Sequence, residues 1–200
     1  MRNKILMFVV FVFLSGLFTS CIQSSGIYSK LEFVHIEADR ITYYDLESLE
    51  NKSDLIIIGE IVDDPQTESE LTYSDDFNKE ILTGMNSYST VKVKKVFAGD
   101  IREGDEIRLG HRCGVYEDQF VTFSEMTPML KGDSWIFFLM DPLDNSESCY
   151  YCTGDSDGRY PLKNASYCRT GLTEYEDLGV YRRDSFKDNI YNEILDKYDL

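Results

Sequence analysis

The chain has 200 residues with 36 Asp and Glu against 20 Lys and Arg, a formal net charge of −16. So acidic a surface repels phosphate, which argues against nucleic acid as a partner and against binding to anionic lipid or wall polymer. The charge fits a solvated extracytoplasmic surface, or one that attracts cations or basic proteins.

The first element is a sorting signal. Arg2 and Lys4 precede an unbroken apolar run, Ile5–Leu14. Ten apolar residues are too few to cross a hydrocarbon core, which needs about 20. A positive start, an apolar run and small residues before a cut form a signal peptide, residues 1–20. Thr19 and Ser20 directly before Cys21 resemble a bacterial lipobox, with Phe18 where Leu is usual. On this reading Cys21 becomes the mature N-terminus and carries a diacylglyceryl group. Two acyl chains suffice for stable anchoring at about 0.8 kcal/mol per buried methylene. The mature chain loses Arg2 and Lys4, leaving 18 basic residues against 36 acidic ones.

Residues 21–40 read as a flexible tether, with a short strand near Leu31–His35 left open. Thr42, with Asp45 three residues on, is a candidate helix cap, and Leu46 and Leu49 lie at helical spacing. "DLIIIGEIV" is a strand buried on both faces, with Gly59 marking a bulge or bend. Residues 63–86, rich in Asp and Glu, read as a long polar connection. In "STVKVKKVFAGDIREGDEIRL", Val91 and Val93 alternate with lysines, and the apolar phase switches parity at Val96. One extra residue near Lys94 does this, the mark of a β-bulge in a hairpin. "DQFVTF" and "SWIFFLM" are further strands, and "CYYCTGDSDGRYPL" reads as a hairpin turning at Asp157-Gly158. Ser185 is expected to cap a C-terminal helix with Phe186, Ile190, Ile194 and Tyr198 on one face.

These strands predict a mainly β fold. The order "SDLIIIGEIV", "STVKVKKVFAGDIREGDEIRL", "MLKGDSWIFFL" and "DGRYPL" is similar to a group of uncharacterised lipoproteins of low-GC Gram-positive (Firmicutes-type) bacteria. It resembles more distantly the netrin-like module of tissue inhibitors of metalloproteinases (TIMP). The resemblance covers about residues 42–165. It implies an OB-like (netrin/TIMP-like) β-barrel over 41–182, with a short N-terminal helix and a C-terminal amphipathic helix over 183–200. Those inhibitors bind zinc through an N-terminal cysteine packed on the barrel. Here Cys21 lies more than 30 residues before the first strong strand, so the inhibitory mechanism does not carry over with the fold.

Four cysteines remain after Cys21: Cys113, Cys149, Cys152 and Cys168. An even number in an exported chain predicts two disulfides in one of three pairings. Cys149 and Cys152 have the C-x-x-C spacing of redox and zinc motifs. On a strand, however, residues three apart point to opposite faces. His35 and His111 are the only histidines, and His111 with Cys113 would share a strand face. No orienting third group accompanies that pair. "DSDG" at Asp155–Gly158 is a fragment of a calcium loop and reads as a turn. The acidic run 63–76 is a weak cation binder at best. Tyr116, Tyr150, Tyr151, Tyr160 and Tyr167 form a candidate ligand face of the kind OB-type barrels use.

The expected protein is a non-catalytic binding module without cofactor or metal. It faces the extracytoplasmic side of the cell membrane, held by lipid at Cys21, and engages an envelope or extracellular protein. Protease inhibition, or thiol or metal chemistry at Cys149–Cys152, are the alternatives.

Overall fold

The computed structural model describes residues 28, 30–36, 39, 41–123, 126, 129–141, 149–162 and 185–200, the side chains of the last stretch from residue 189. The signal, Cys21, Tyr167 and Cys168 lie outside the described residues.

Strand β2 (Leu55–Ile61) shows how the apolar runs are used. Its residues alternate between two cores, as a strand with period 2 must when both faces are covered. Leu55, Ile57 and Ile61 point into one core with Val91, Val93, Leu109, Trp135, Phe137 and Leu139. Ile56 points into the other, with Ile136, Phe138 and Tyr160. Strand β8 (Ser134–Met140) divides its side chains in the same way beside β2.

The first core is the inside of a closed, OB-like barrel. β2 pairs antiparallel with β8 and with the 20-residue β4 (Lys79–Ala98), and β4 pairs with β5 (Glu106–His111). The ring closes through the three-residue β9 (Tyr150–Cys152), parallel to β5 and antiparallel to β8. The β2–β4 register slips at Ile58/Gly59, leaving Lys94 unmatched between Lys95 and Val93. This is the expected bulge, and it bends β4 around the ring. Gly59 is required by close approach, since a Cβ there would lie 2.3 Å from Val91 Cγ1 and 3.2 Å from a Phe137 ring carbon.

Two helices cover the second core. Helix α1 (Leu46–Asn51) buries Leu46 and Leu49. Its N-cap is Asp45 rather than Thr42, the carboxylate accepting from the Ser48 backbone N–H at 2.7 Å. This capping pulls the Asp45 carboxyl below its usual range. Helix α2 (Ser185–Tyr198) begins on Ser185 itself and buries Ile190 and Ile194 against Leu46, Leu49 and Phe138. Lys197 ties it to α1 through Glu50 at 2.6 Å.

Three expectations change. β1 (Glu32–Ile36) lies within the stretch expected to be tether and pairs in parallel with β7 (Gln119–Phe123). With β6 (Cys113–Tyr116) they form a small second sheet. The expected hairpin at Asp157-Gly158 is one strand interrupted. β9 pairs with β8 at Met140 and Leu139, and β10 (Arg159–Pro161) resumes on the same strand at Phe137. Between them Thr153–Gly158 makes an excursion containing a 3-10 turn (Asp155–Gly158), with a backbone bond from Thr153 N–H to the Phe138 carbonyl. Finally, residues 63–86 are no loose connection. They hold β3 (Gln66–Ser74), which pairs with the first part of β4.

Candidate interaction surface

Cys113, Cys149 and Cys152 are all buried, and no disulfide forms among the described residues. The expected staples are therefore absent there. Cys152 belongs to the barrel interior and Cys113 packs with Phe120 and Met126 under the small sheet, near enough to interact electrostatically yet not bonded, and pairings with Cys168 lie outside the described residues. Burial pushes both the Cys113 and Cys152 thiols up to about 12, against the pull of nearby Arg159. Thiols so protonated are poor nucleophiles and poor metal ligands. Cys152 also ends a strand rather than opening a helix, so no dipole activates it. Among the described residues no cluster of His, Cys, Asp and Glu is arranged to hold a metal.

His111 sits on the same barrel wall, 1% exposed, at the end of β5. Neither ring nitrogen has a hydrogen-bond partner among the described residues. Burial, with the Arg159 charge second, pushes its pKa down to about 3. The imidazole is thus neutral and sealed, which removes it from acid–base work near neutral pH. His35 is exposed on β1.

The four described tyrosines of the candidate face do not share one. Tyr160 is buried in the second core, stacked on Tyr191 at 5.9 Å and edge-on to Phe138, so burial raises its pKa. Tyr151 lies against Gly110, where a Cβ would come within 2.4 Å of its ring. Tyr150 packs on the barrel core, and Tyr116 is half-buried on β6. Alternation sends neighbours on a strand to opposite faces, and the four described tyrosines come from β6, β9 and β10, so sequence proximity misleads. In "DSDG", Asp157 accepts from the Tyr43 backbone N–H at 3.2 Å, so the turn fastens the segment before α1.

The feature that stands open is the β3–β4 ribbon. At its base, Thr67 Oγ1 bonds Ser87 Oγ at 2.9 Å and Val115 N–H donates to Thr67 Oγ1. Arg108 lies over the Tyr88 ring at 3.8 Å and reaches Glu68 at 3.2 Å. Beyond Glu68 the two strands run on without a neighbour among the described residues: β3 pairs only with β4, and β5 pairs with β4 only from Ser87 onward. Six residues, Ser69–Ser74, extend it by about 20 Å at the usual rise of a strand. Asn78, at φ 50°, closes the tip and accepts from the Tyr73 hydroxyl at 2.7 Å.

Five large apolar side chains are exposed among the described residues, and three are on this ribbon: Leu71, Tyr73 and, at the tip, Phe77, 68% exposed. The other two, Ile41 and Tyr44, precede α1. Around the ribbon's apolar residues stand Glu68, Glu70, Asp75, Asp76 and Glu80, against Lys79 on the ribbon itself and Arg108 from β5 at Glu68. Sequence reading missed the ribbon because neither face is apolar enough to alternate. The usable signal was Thr67, Leu71, Thr72 and Tyr73, a polar turn over 75–78, then Ile81, Leu82 and Thr83.

No protein-family model matches the chain, and no curated protein matches it significantly.

Proposed function

We propose that this protein is a lipoprotein of the bacterial cell envelope that binds a protein partner and performs no reaction. The observation that carries the binding reading is the exposed ribbon, where aromatic and aliphatic side chains are held out into solvent on a rigid base. Exposing Phe77, Tyr73 and Leu71 together forgoes the burial that stabilises folds, and such patches mark interaction sites. The thiols and the imidazole that could have supplied chemistry are buried in their neutral forms.

The sorting part of the proposal rests on residues 1–21: a basic start, a ten-residue apolar run, and Thr19-Ser20 before Cys21. In this reading the signal is removed, Cys21 is acylated, and the acidic body faces the extracytoplasmic side. The resemblance of the strand motifs to Gram-positive lipoproteins supports this reading.

Intact mass of native protein tests the anchoring: the expected species lacks residues 1–20 and carries a diacylglyceryl mass on Cys21. A photo-cross-linking side chain placed at Phe77, and separately at Tyr44, tests the binding. A discrete adduct with an envelope protein from either position supports the module. Mature material beginning at Met1, or cells yielding no adduct from either position, overturns it.

A further inference from the structure

The ribbon's edge says what kind of partner fits. We infer that the free edge of β3, Glu68–Ser74, takes up an extended segment of a cationic protein as an additional strand. The inference rests on the binding reading above and names the partner class for the same surface.

The first argument is main-chain chemistry. On its side away from β4, β3 has no strand neighbour among the described residues past its base, where Thr67 meets β6. A bare edge is a template for another strand, and exposed edges are usually blunted by Lys, Pro or a bulge. Within Gln66–Ser74 there is no Lys and no Pro. The one register shift falls between Glu70 and Leu71 and places its extra residue, Thr83, in β4, leaving the β3 edge regular. A ribbon of two strands is only marginally stable, and a third strand adds both hydrogen bonds and cover.

The second argument is side-chain complementarity. Leu71 faces Leu82 across the ribbon, and Tyr73 follows two residues on, on the same face. An added strand with apolar residues at alternate positions would cover this row, the usual division in strand addition between main-chain affinity and side-chain specificity.

Charge decides between occupants. The ribbon carries five carboxylates and one lysine over residues 66–84. A second copy would bring the same charge against it, and an anionic lipid surface would be repelled likewise. A strand alternating basic and apolar residues meets both the acids and the apolar row.

The test is backbone hydrogen exchange on the full chain in detergent, with an alternating Lys-Val octapeptide as probe and its Glu-Val counterpart as control. The Lys-Val peptide is expected to slow exchange in residues 68–74 by about tenfold or more, equivalent to about 1.4 kcal/mol. The effect should fade as salt is raised. The variant combining Glu70→Lys, Asp75→Lys, Asp76→Lys and Glu80→Lys should lose it while exchange in β2 and β8 stays unchanged. That second readout shows that the variant is folded. Equal protection by the Glu-Val peptide, protection that grows with protein concentration alone, protection by anionic phospholipid vesicles, or none at residues 68–74 would each sink the proposal. Cross-links from Tyr44 but not Phe77 would also sink it while leaving the module reading intact. Absence of adducts from both positions would remove the reading beneath it.

Discussion

β4 is one strand with two environments. From Ser87 to Ala98 it is flanked by β2 or β5 and sends buried side chains into the barrel; from Lys79 to Gly84 it has only β3 beside it, and most side chains meet water. The backbone is continuous, so strand geometry alone does not make a core. Apolar side chains on the inward phase do, and where they stop the same strand becomes a display arm. Stability should therefore reside in the barrel, and binding in the arm.

The largest expected effect is on the barrel and comes from pH. His111 titrates near 6.5 when unfolded but near 3 in the fold, so below pH 6.5 the unfolded chain binds the extra proton. Stability should fall as pH drops from 6.5 toward 3, by roughly 5 kcal/mol at the low end, at about 1.4 kcal/mol per unit. On the alkaline side the unfolded Cys113 and Cys152 ionise from about 9 while the folded thiols hold to about 12, so stability falls again as pH rises through that range. Urea titrations across pH should show both flanks, and a His111→Phe variant that retains the fold should flatten the acid one. Phe137→Ala comes next: it empties a fully buried site on β8 between β2 and β10 and should cost about 3–5 kcal/mol in urea unfolding. Gly59→Ala should cost about 1–3 kcal/mol in the same assay, because Val91 must move to admit the methyl. Smallest is Phe77→Ser, within about 0.5 kcal/mol of the parent in stability, yet it should reduce strand-peptide protection at residues 68–74. Comparable losses of stability from Phe77→Ser and Phe137→Ala would erase the distinction between arm and barrel.

The barrel was legible because its strands obey period 2 with strong apolar residues. "LIIIGEI" and "SWIFFLM" announced strands covered on both sides, and the parity switch at Lys94 announced the bulge. What could not be read was anything that depends on a distant partner. β1, left open in the sequence as a short strand near Leu31–His35, is settled because β7 lies beside it; EFVHI alone is too short to decide. β3 has only Leu71 and Tyr73 as an apolar row on one face and is a strand because β4 pairs with it. Tyr160 is buried in the second core rather than on a ligand face because closeness in sequence says little about which wall of a barrel a side chain lines. Asp45 displaced Thr42 as cap because its carboxylate reaches both the N–H and the hydroxyl of Ser48.

The hoop of strands is fastened by its shortest member. β9 meets β5 at two residue positions and β8 at two, so this clasp holds far fewer rungs than the β2–β4 or β2–β8 seams. Were the hoop to spring, it would part here, leaving β10, β8, β2, β4 and β5 as an open curved sheet. The first groups wetted would be Cys152 and His111. Slow alkylation of Cys152 in otherwise native protein would thus time the unclasping.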